Sequence, residues 1–249
     1  MKFKALIFDL DGTAMPSVSD ALPSDRVVQA VNQVKGRIKL CAATGRGIRN
    51  AKPILDRLGL TDPCVISAGT RIIDPITNEI LWEVAISPDD VQKILAVCKP
   101  YPHEVIVCDE LMGEGAPAAQ RTITQSVNVI YIMEAIQEDG NLILGQLDKI
   151  PNITAVGVLG WSGVGMDIHI TNRQATKEHA IAELLKMINV KKEETVGVGD
   201  ANNDVHLFRG VGRKVAMGNA TELLKSQADE VCDTVYNDGL AKLIEEITK

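Results

Sequence analysis

The chain has 249 residues, 45% hydrophobic and 24% charged, with a formal net charge of −7. That is enough chain for one large core or two smaller ones, and the acidic balance, with no Lys/Arg-rich block, argues against a nucleic-acid partner. An anionic ligand would therefore need local help from a metal, a lysine or backbone N–H groups.

In chain order, strand-like apolar runs alternate with helical patterns from the start, the signature of a parallel sheet covered by helices. Residues 5–8 read as a first strand, ending in the acidic stretch DLDGT. Val27, Val28, Val31 and Val34 share one helical face, entered through Pro23 and Ser24 and stopped by Gly36. A strand over 38–43 follows, then a helix carrying Ile48, Ala51, Ile54 and Leu58, which Pro53 is expected to kink and Gly59 to end. A third short strand is read over 64–67. Residues 71–74 and 79–82 flank a Pro/Thr/Asn turn as two arms of a hairpin, which marks an exit from the sheet.

Between 84 and 172 the pattern becomes α+β. A helix opens at Ser87-Pro88-Asp89, strands are expected near 104–108 and 127–132, a Gly-containing stretch covers 113–117, a helix lies near 141–150, and two alternating strands cover 153–159 and 165–170. The α/β pattern resumes with Ala180, Ile181, Leu184, Leu185 and Ile188 on one helix. It continues through a strand over 195–199, a helix over 203–209, a strand over 214–217, a helix over 221–228, a strand over 230–232 and a last helix carrying Leu240, Leu243, Ile244 and Ile247. The expected fold class is α/β: a Rossmann-like parallel-sheet core, 1–83 and 173–249, with an inserted α+β cap domain, 84–172. The five cysteines, Cys41, Cys64, Cys98, Cys108 and Cys232, are odd in number and without CxxC spacing, so neither a disulfide framework nor a zinc site is expected. With no apolar run of membrane-spanning length and no targeting pattern, the expectation is a cytoplasmic protein without a membrane partner.

Ligands of open parallel sheets bind beyond the carboxyl ends of the strands, and four polar clusters fall at or near such positions. Asp9 and Asp11 follow the first strand, Thr44-Gly45-Arg46 the second, and Asp200 with Asn203 and Asp204 the strand ending in GVG, while Lys177 starts the helix after the insertion. Each has a plain structural alternative. Asp-x-Asp-Gly is also a turn, Asp200 a helix N-cap, Thr44 a capping hydroxyl, and Lys177 an exposed first-turn lysine. Two carboxylate clusters together favour a hard divalent cation such as Mg²⁺, which takes oxygen ligands. A hydroxyl beside the N–H groups of Gly45 and Arg46 at a helix start would make a small anion cradle. The combination suits phosphoryl transfer, which needs in-line attack, neutralised equatorial oxygens and a proton for the leaving group.

The order DLDGT, TGR, lysine, GDANND resembles the haloacid dehalogenase superfamily of phosphatases. The position of the insertion between TGR and the lysine, with VAMGNA near the end, is similar to the Cof-type, sugar-phosphate-phosphatase branch. The resemblance implies that Asp9 is the nucleophile that becomes an aspartyl-phosphate, and that Asp11 is the general acid and then base. Thr44 would hold the phosphoryl group and Lys177 would neutralise nucleophile and phosphate. Mg²⁺ would be bound by the Asp9 side chain, the Asp11 carbonyl and Asp200, with Asn203 and Asp204 close by, and Asn219 would line the same cavity. The implied partner is a small phosphorylated metabolite.

Two departures stand out: Ala68-Gly69-Thr70 replaces the Asn-Gly-Ala common in the branch, and Glu178 follows the lysine where Gly is usual. In the insertion, Arg121, His103 and the 113–117 loop are candidates for substrate contact, whereas His169, Trp82 and Trp161 read as structural. The alternative functions are a sugar phosphomutase on the same scaffold and a receiver-type phospho-acceptor module, both distinguished by whether inorganic phosphate is released.

Overall fold

The computed structural model describes residues 3–18, 20–108, 116–117, 127–160 and 165–248. Four consecutive apolar residues, Ala5–Phe8, form β1, and all four are sealed from solvent. A strand with parallel neighbours and helices over both faces has no solvent side, so a continuous apolar run is what such a position requires. The neighbours of β1 are β2 (Lys39–Ala42) and β11 (Thr195–Gly199), both parallel to it. The strands β12 (Arg213–Ala216) and β13 (Glu230–Val231) continue the sheet beyond β11, in the order β13-β12-β11-β1-β2.

The chain divides into two compact units, and this sheet belongs to the first, which comprises Met1–Trp82 and Thr176–Lys249. A parallel bridge between Ala43 and Val65 carries the strand order on to β3 (Cys64–Ile66), with which β4 (Arg71–Ile73) pairs antiparallel and to which β5 (Ile80–Glu83) is added. Helices α1 (Asp25–Val34), α2 (Ile48–Leu58) and α8 (Gly239–Ile247) pack together, and α5 (Lys177–Met187) packs on α6 (Asp204–Gly210). Ser24 caps α1 by accepting from the Val27 N–H at 3.2 Å. On that helix Ala30 joins Val27, Val31 and Val34 in the core, and Val28 is only partly buried. Helix α2 runs on across Pro53, which lies on its exposed side, where the carbonyl that proline cannot bond can reach water. A short α7 (Glu222–Lys225) is capped by the Thr221 hydroxyl.

From β1 the chain moves to β2 and then β3 on one side, and its later strands β11, β12 and β13 extend on the other. The sheet therefore reverses its winding at β1, and the crevice beyond the carboxyl ends of β1 and β11 is where such a fold binds ligands.

The second unit, Glu83–Ala175, is built on an antiparallel sheet in the order β7-β6-β8-β10-β9. Its strands are β6 (Val105–Cys108), β7 (Ala116–Pro117), β8 (Val129–Ala135), β9 (Ile153–Leu159) and β10 (Met166–Asn172). Helices α3 (Pro88–Cys98) and α4 (Gln137–Leu147) supply Val91, Ile94, Ile143 and Leu147 to a core shared with Ile130, Ile132, Ile168 and Ile170. Helix α4 begins four residues before its sequence-predicted start at 141, because Ile136 at its N-cap offers no capping side chain to read. Glu138 and Asp139 in its first turn supply the dipole complement instead. None of the described helices is long and apolar enough to cross a membrane.

Candidate active site

The end of β1 fixes the first acid. The Asp9 N–H still donates to Val198 O of β11 at 3.0 Å, so its side chain leaves the sheet at a defined point, and the residue is buried. Gly12 then turns the chain at φ +75°, and a Cβ placed on it would lie 2.1 Å from Asp200 Oδ2. The loops after β1 and β11 meet only because residue 12 has no side chain. Thr13, which closes the DLDGT stretch and is not among the candidate residues above, donates its hydroxyl to Asp200 Oδ1 at 3.0 Å.

Lys177 is the first residue of α5, after Thr176, whose hydroxyl caps the helix. Its place is set by Gly69, at φ +98°, where a Cβ would come within 2.5 Å of the Lys177 nitrogen. Far from being an exposed first-turn lysine, Lys177 is 3% exposed. Its Nζ donates to Asp9 Oδ1 at 2.8 Å and to Asp204 Oδ1 at 2.7 Å. The other Asp204 oxygen accepts from the N–H groups of Asp200 and Ala201 at 3.0 and 3.1 Å. Asp204 thus orients the lysine and ties down the loop after β11 at the same time.

Oxygens of Asp9, Asp200 and Asp204 all lie within 4.8 Å of one another. Burial pushes the Asp9 carboxyl up to about 8; Lys177 opposes that rise, and Asp204 and Asp200 add to it. Burial and the Asp204 charge push Asp200 up to about 6. Burial works against the charge on Lys177, but Asp204 and Asp9 outweigh it and hold the ammonium above its ordinary range. Three carboxylates facing one ammonium leave an excess of negative charge, the condition a divalent cation relieves. Among the described residues no hydrogen bond reaches Asp9 Oδ2 or Asp200 Oδ2, so those two oxygens could ligate a metal. Both Asp204 oxygens are committed to protein donors. The donor set is all oxygen, as a hard cation such as Mg²⁺ prefers.

Asp11 stands apart from the trio. Its Oδ2 accepts from Arg46 Nε at 2.7 Å and its Oδ1 from Arg46 Nη2 at 2.6 Å, a two-pronged ion pair about 30% exposed on each side. The hydrogen bonds to Asp11 raise the guanidinium pKa further, against a smaller effect of burial. Arg46 therefore enters the site through its side chain, not through a free N–H as the sequence suggested. Its N–H donates to Thr44 Oγ1 at 3.1 Å. The cradle at a helix start is also corrected: α2 begins at Ile48 with Gly47 as its cap, beyond the Thr44-Gly45-Arg46 turn. Thr44 itself is fully buried after β2, its N–H on Val65 O at 3.0 Å.

The remaining predicted residues are placed as follows. Asn219 donates to Gly12 O at 2.9 Å and accepts from the Val235 N–H at 2.8 Å, so its amide braces the loop carrying Asp11. Asn203 is exposed at the start of α6. At the Asn-to-Ala departure, Ser67 and Ala68 are both left-handed, at φ +50° and +59°, a conformation asparagine tolerates better than alanine. Their N–H groups donate to Arg46 O and Thr44 O at 2.8 and 3.2 Å, which knits this turn to the Thr44–Arg46 loop.

In the second unit, His103 pairs with Asp139 at 2.7 Å and His169 meets Tyr131 edge to face at 4.8 Å. Burial holds the His169 pKa below its usual value, in keeping with a structural histidine. Trp82 packs against the core of the first unit. Arg121, Trp161 and residues 113–115 of the predicted loop lie outside the described residues.

A family model for haloacid dehalogenase-like hydrolases matches residues 6–244 of this chain. Phosphoglycolate phosphatase 1 of Saccharolobus solfataricus is 34% identical over 85 residues, 34% of this chain and 37% of that protein. A 5-amino-6-(5-phospho-D-ribitylamino)uracil phosphatase of Bacillus subtilis is 23% identical over 262 residues, 97% of this chain and 96% of that protein. Among solved structures, a sugar phosphatase of HAD subclass IIB superposes with a TM-score of 0.79 at 22% identity, covering 98% of this chain and 99% of that one, a likeness of fold.

Proposed function

The chain belongs to the haloacid dehalogenase-like hydrolase family; we propose that it is a phosphoric monoester hydrolase that releases phosphate from a small phosphorylated metabolite, with Mg²⁺, through an aspartyl-phosphate on Asp9. The observation that carries this reading is the buried cluster of Asp9, Asp200 and Asp204 around Lys177, at the point where the sheet reverses its winding. When bound, Mg²⁺ would supply charge neutralisation for the phosphoryl oxygens, and Asp9, the Asp11 carbonyl and Asp200 would hold it.

In this scheme Asp9 attacks phosphorus, the bond from phosphorus to the ester oxygen breaks, and Asp11 gives the leaving oxygen its proton. Water then attacks the phosphoryl group, Asp11 takes the proton back, and Asp9 is freed as orthophosphate departs. Lys177, held by Asp204, counters charge on Asp9 and on the phosphoryl oxygens throughout. The Thr44 hydroxyl accepts from the Arg46 N–H, which leaves its own proton to donate to a phosphoryl oxygen. Relatives whose names specify phosphoglycolate, a ribitylaminouracil phosphate and sugar phosphates support a small soluble ester as substrate. We assign part of the choice among such esters to the second unit, 83–175. The five cysteines, all free, support a reducing, cytoplasmic setting.

The test is orthophosphate release from a panel of phosphorylated metabolites, with and without Mg²⁺, for wild type and Asp9→Asn. Asparagine can still accept from Lys177, so the variant should keep its fold and lose at least about 10³-fold in kcat. Turnover retained by Asp9→Asn would sink the covalent mechanism, and isomerisation without phosphate release would favour the mutase.

A further inference from the structure

Two kinds of ion pair coexist within this site. Lys177, Asp9 and Asp204 are sealed, at 3%, 8% and 0% side-chain exposure, whereas Arg46 and Asp11 are open, at 28% and 31%. The open pair is also the one with fork geometry: Nε and Nη2 of Arg46 face the two Asp11 oxygens at 2.7 and 2.6 Å. A guanidinium presented edge-on in this way is matched to a planar carboxylate. Because the pair reaches solvent, a second carboxylate can replace the first without crossing a buried barrier.

The proposed chemistry favours that exchange. Both Asp11 oxygens accept from Arg46, so the fork competes with any proton that Asp11 is to carry to a leaving-group oxygen. Releasing Asp11 to water would leave Arg46 without either charge-assisted bond. Releasing it to another anion would not. Lys177 is already shared between Asp9 and Asp204 and is not free for that task. Arg46 stands two residues beyond Thr44 and contacts Asp11, so it faces the leaving-group side of the site.

We propose that Arg46 is a specificity-determining residue that binds a carboxylate carried on the leaving group of the substrate, which takes the place of Asp11 in the fork. The preferred substrate class is then a phosphate ester of a hydroxy acid rather than of a neutral alcohol. The proposal deepens the phosphatase reading and rests on it.

The experiment measures phosphate release, with saturating Mg²⁺, from 2-phosphoglycolate, glycerol 1-phosphate and p-nitrophenyl phosphate by wild type, Arg46→Lys and Arg46→Gln. Wild type should favour 2-phosphoglycolate over glycerol 1-phosphate in kcat/KM by about tenfold or more. Arg46→Gln should bring that ratio close to one, with most of the change in KM for the carboxylate ester, and Arg46→Lys should retain part of it. A measurement on wild type alone needs no variant to fold: glycolate should compete with p-nitrophenyl phosphate, and ethylene glycol should not. A wild-type ratio near one, a ratio that survives Arg46→Gln, or glycolate without effect overturns the proposal. Equal losses on both alkyl esters, with p-nitrophenyl phosphate spared, would overturn it in favour of Arg46 merely positioning Asp11. Phosphate release from none of the three esters would remove the phosphatase reading and this inference with it, an outcome distinct from release without selectivity.

Discussion

Replacing Asp200 by Asn should stabilise the metal-free protein, although it removes a residue the chemistry is proposed to need. Asp200 is mostly buried and lies beside Asp204 and Asp9, and its carboxyl is raised from 3.8 to about 6. A native-state value above the unfolded one means that the fold prefers the protonated acid. The stability it contributes is present in full below about pH 4 and is lost as pH rises through 6. Each tenfold in proton affinity is about 1.4 kcal/mol, so ionised Asp200 costs the metal-free fold about 3 kcal/mol at pH 8. Asparagine keeps an oxygen for the Thr13 hydroxyl, now 3.0 Å from Asp200 Oδ1, and carries no charge. Thermal melts in EDTA should therefore place Asp200→Asn about 6–12 °C above wild type at pH 8, for a chain of this size. The difference should shrink to nothing near pH 4. Added Mg²⁺ should raise the melting temperature of wild type and leave that of the variant nearly unmoved. A variant that melts at or below wild type at pH 8, or an advantage that persists unchanged at pH 4, would refute the charge-excess account.

Lys177→Met removes the ammonium shared by Asp9 and Asp204 and leaves buried acids without it, so urea denaturation at pH 8 without metal should show a loss of about 3–5 kcal/mol. Gly12→Ala places a Cβ within 2.1 Å of Asp200 Oδ2 at a left-handed position, and should cost about 1–2 kcal/mol or more and weaken the Mg²⁺-induced shift in melting temperature. Ala68→Gly relieves a left-handed alanine and should stabilise the protein by about 0.5–1 kcal/mol, read as a higher denaturation midpoint at unchanged slope.

Local signals carried much of the fold. Residues 5–8, 153–159 and 195–199 are strands with the bounds their apolar runs imply, and Gly59 ends α2 in the left-handed conformation its position suggested. Where no local signal exists an element's start is not legible, as at α4, whose N-cap is an isoleucine. The site divides in the same way. Residue types beyond strand ends pointed to Asp9, Asp11, Asp200 and Asp204, because a parallel sheet leaves its ligand groups there, and a lysine at the start of α5 pointed to Lys177. Which atom meets which is a matter of loops far apart in the chain, and that was not legible. Arg46 reaches Asp11 across 35 residues, Asn219 reaches the Gly12 carbonyl across 207, and Thr13 reaches Asp200 across 187.

These long-range pairings share one consequence. Left to packing alone, a fold would not bury three carboxylates around one lysine, since each raises the energy of the others. Here the backbone donors on Asp204, the Thr13 hydroxyl on Asp200 and the absence of a side chain at Gly12 hold the acids together against their repulsion. The positive groups are split between a sealed lysine and an exposed, exchangeable arginine. Under the proposed mechanism the sealed half would serve a task repeated in every turnover, attack and charge neutralisation at phosphorus. The open half, under the proposal for Arg46, would face the part of the substrate that differs from one ester to the next. A variant that exchanged the two, Lys177→Arg with Arg46→Lys, should keep the net charge of the site, lose activity and keep only part of its selectivity, because burial suits the compact ammonium and the planar fork matches a carboxylate better than a point charge does.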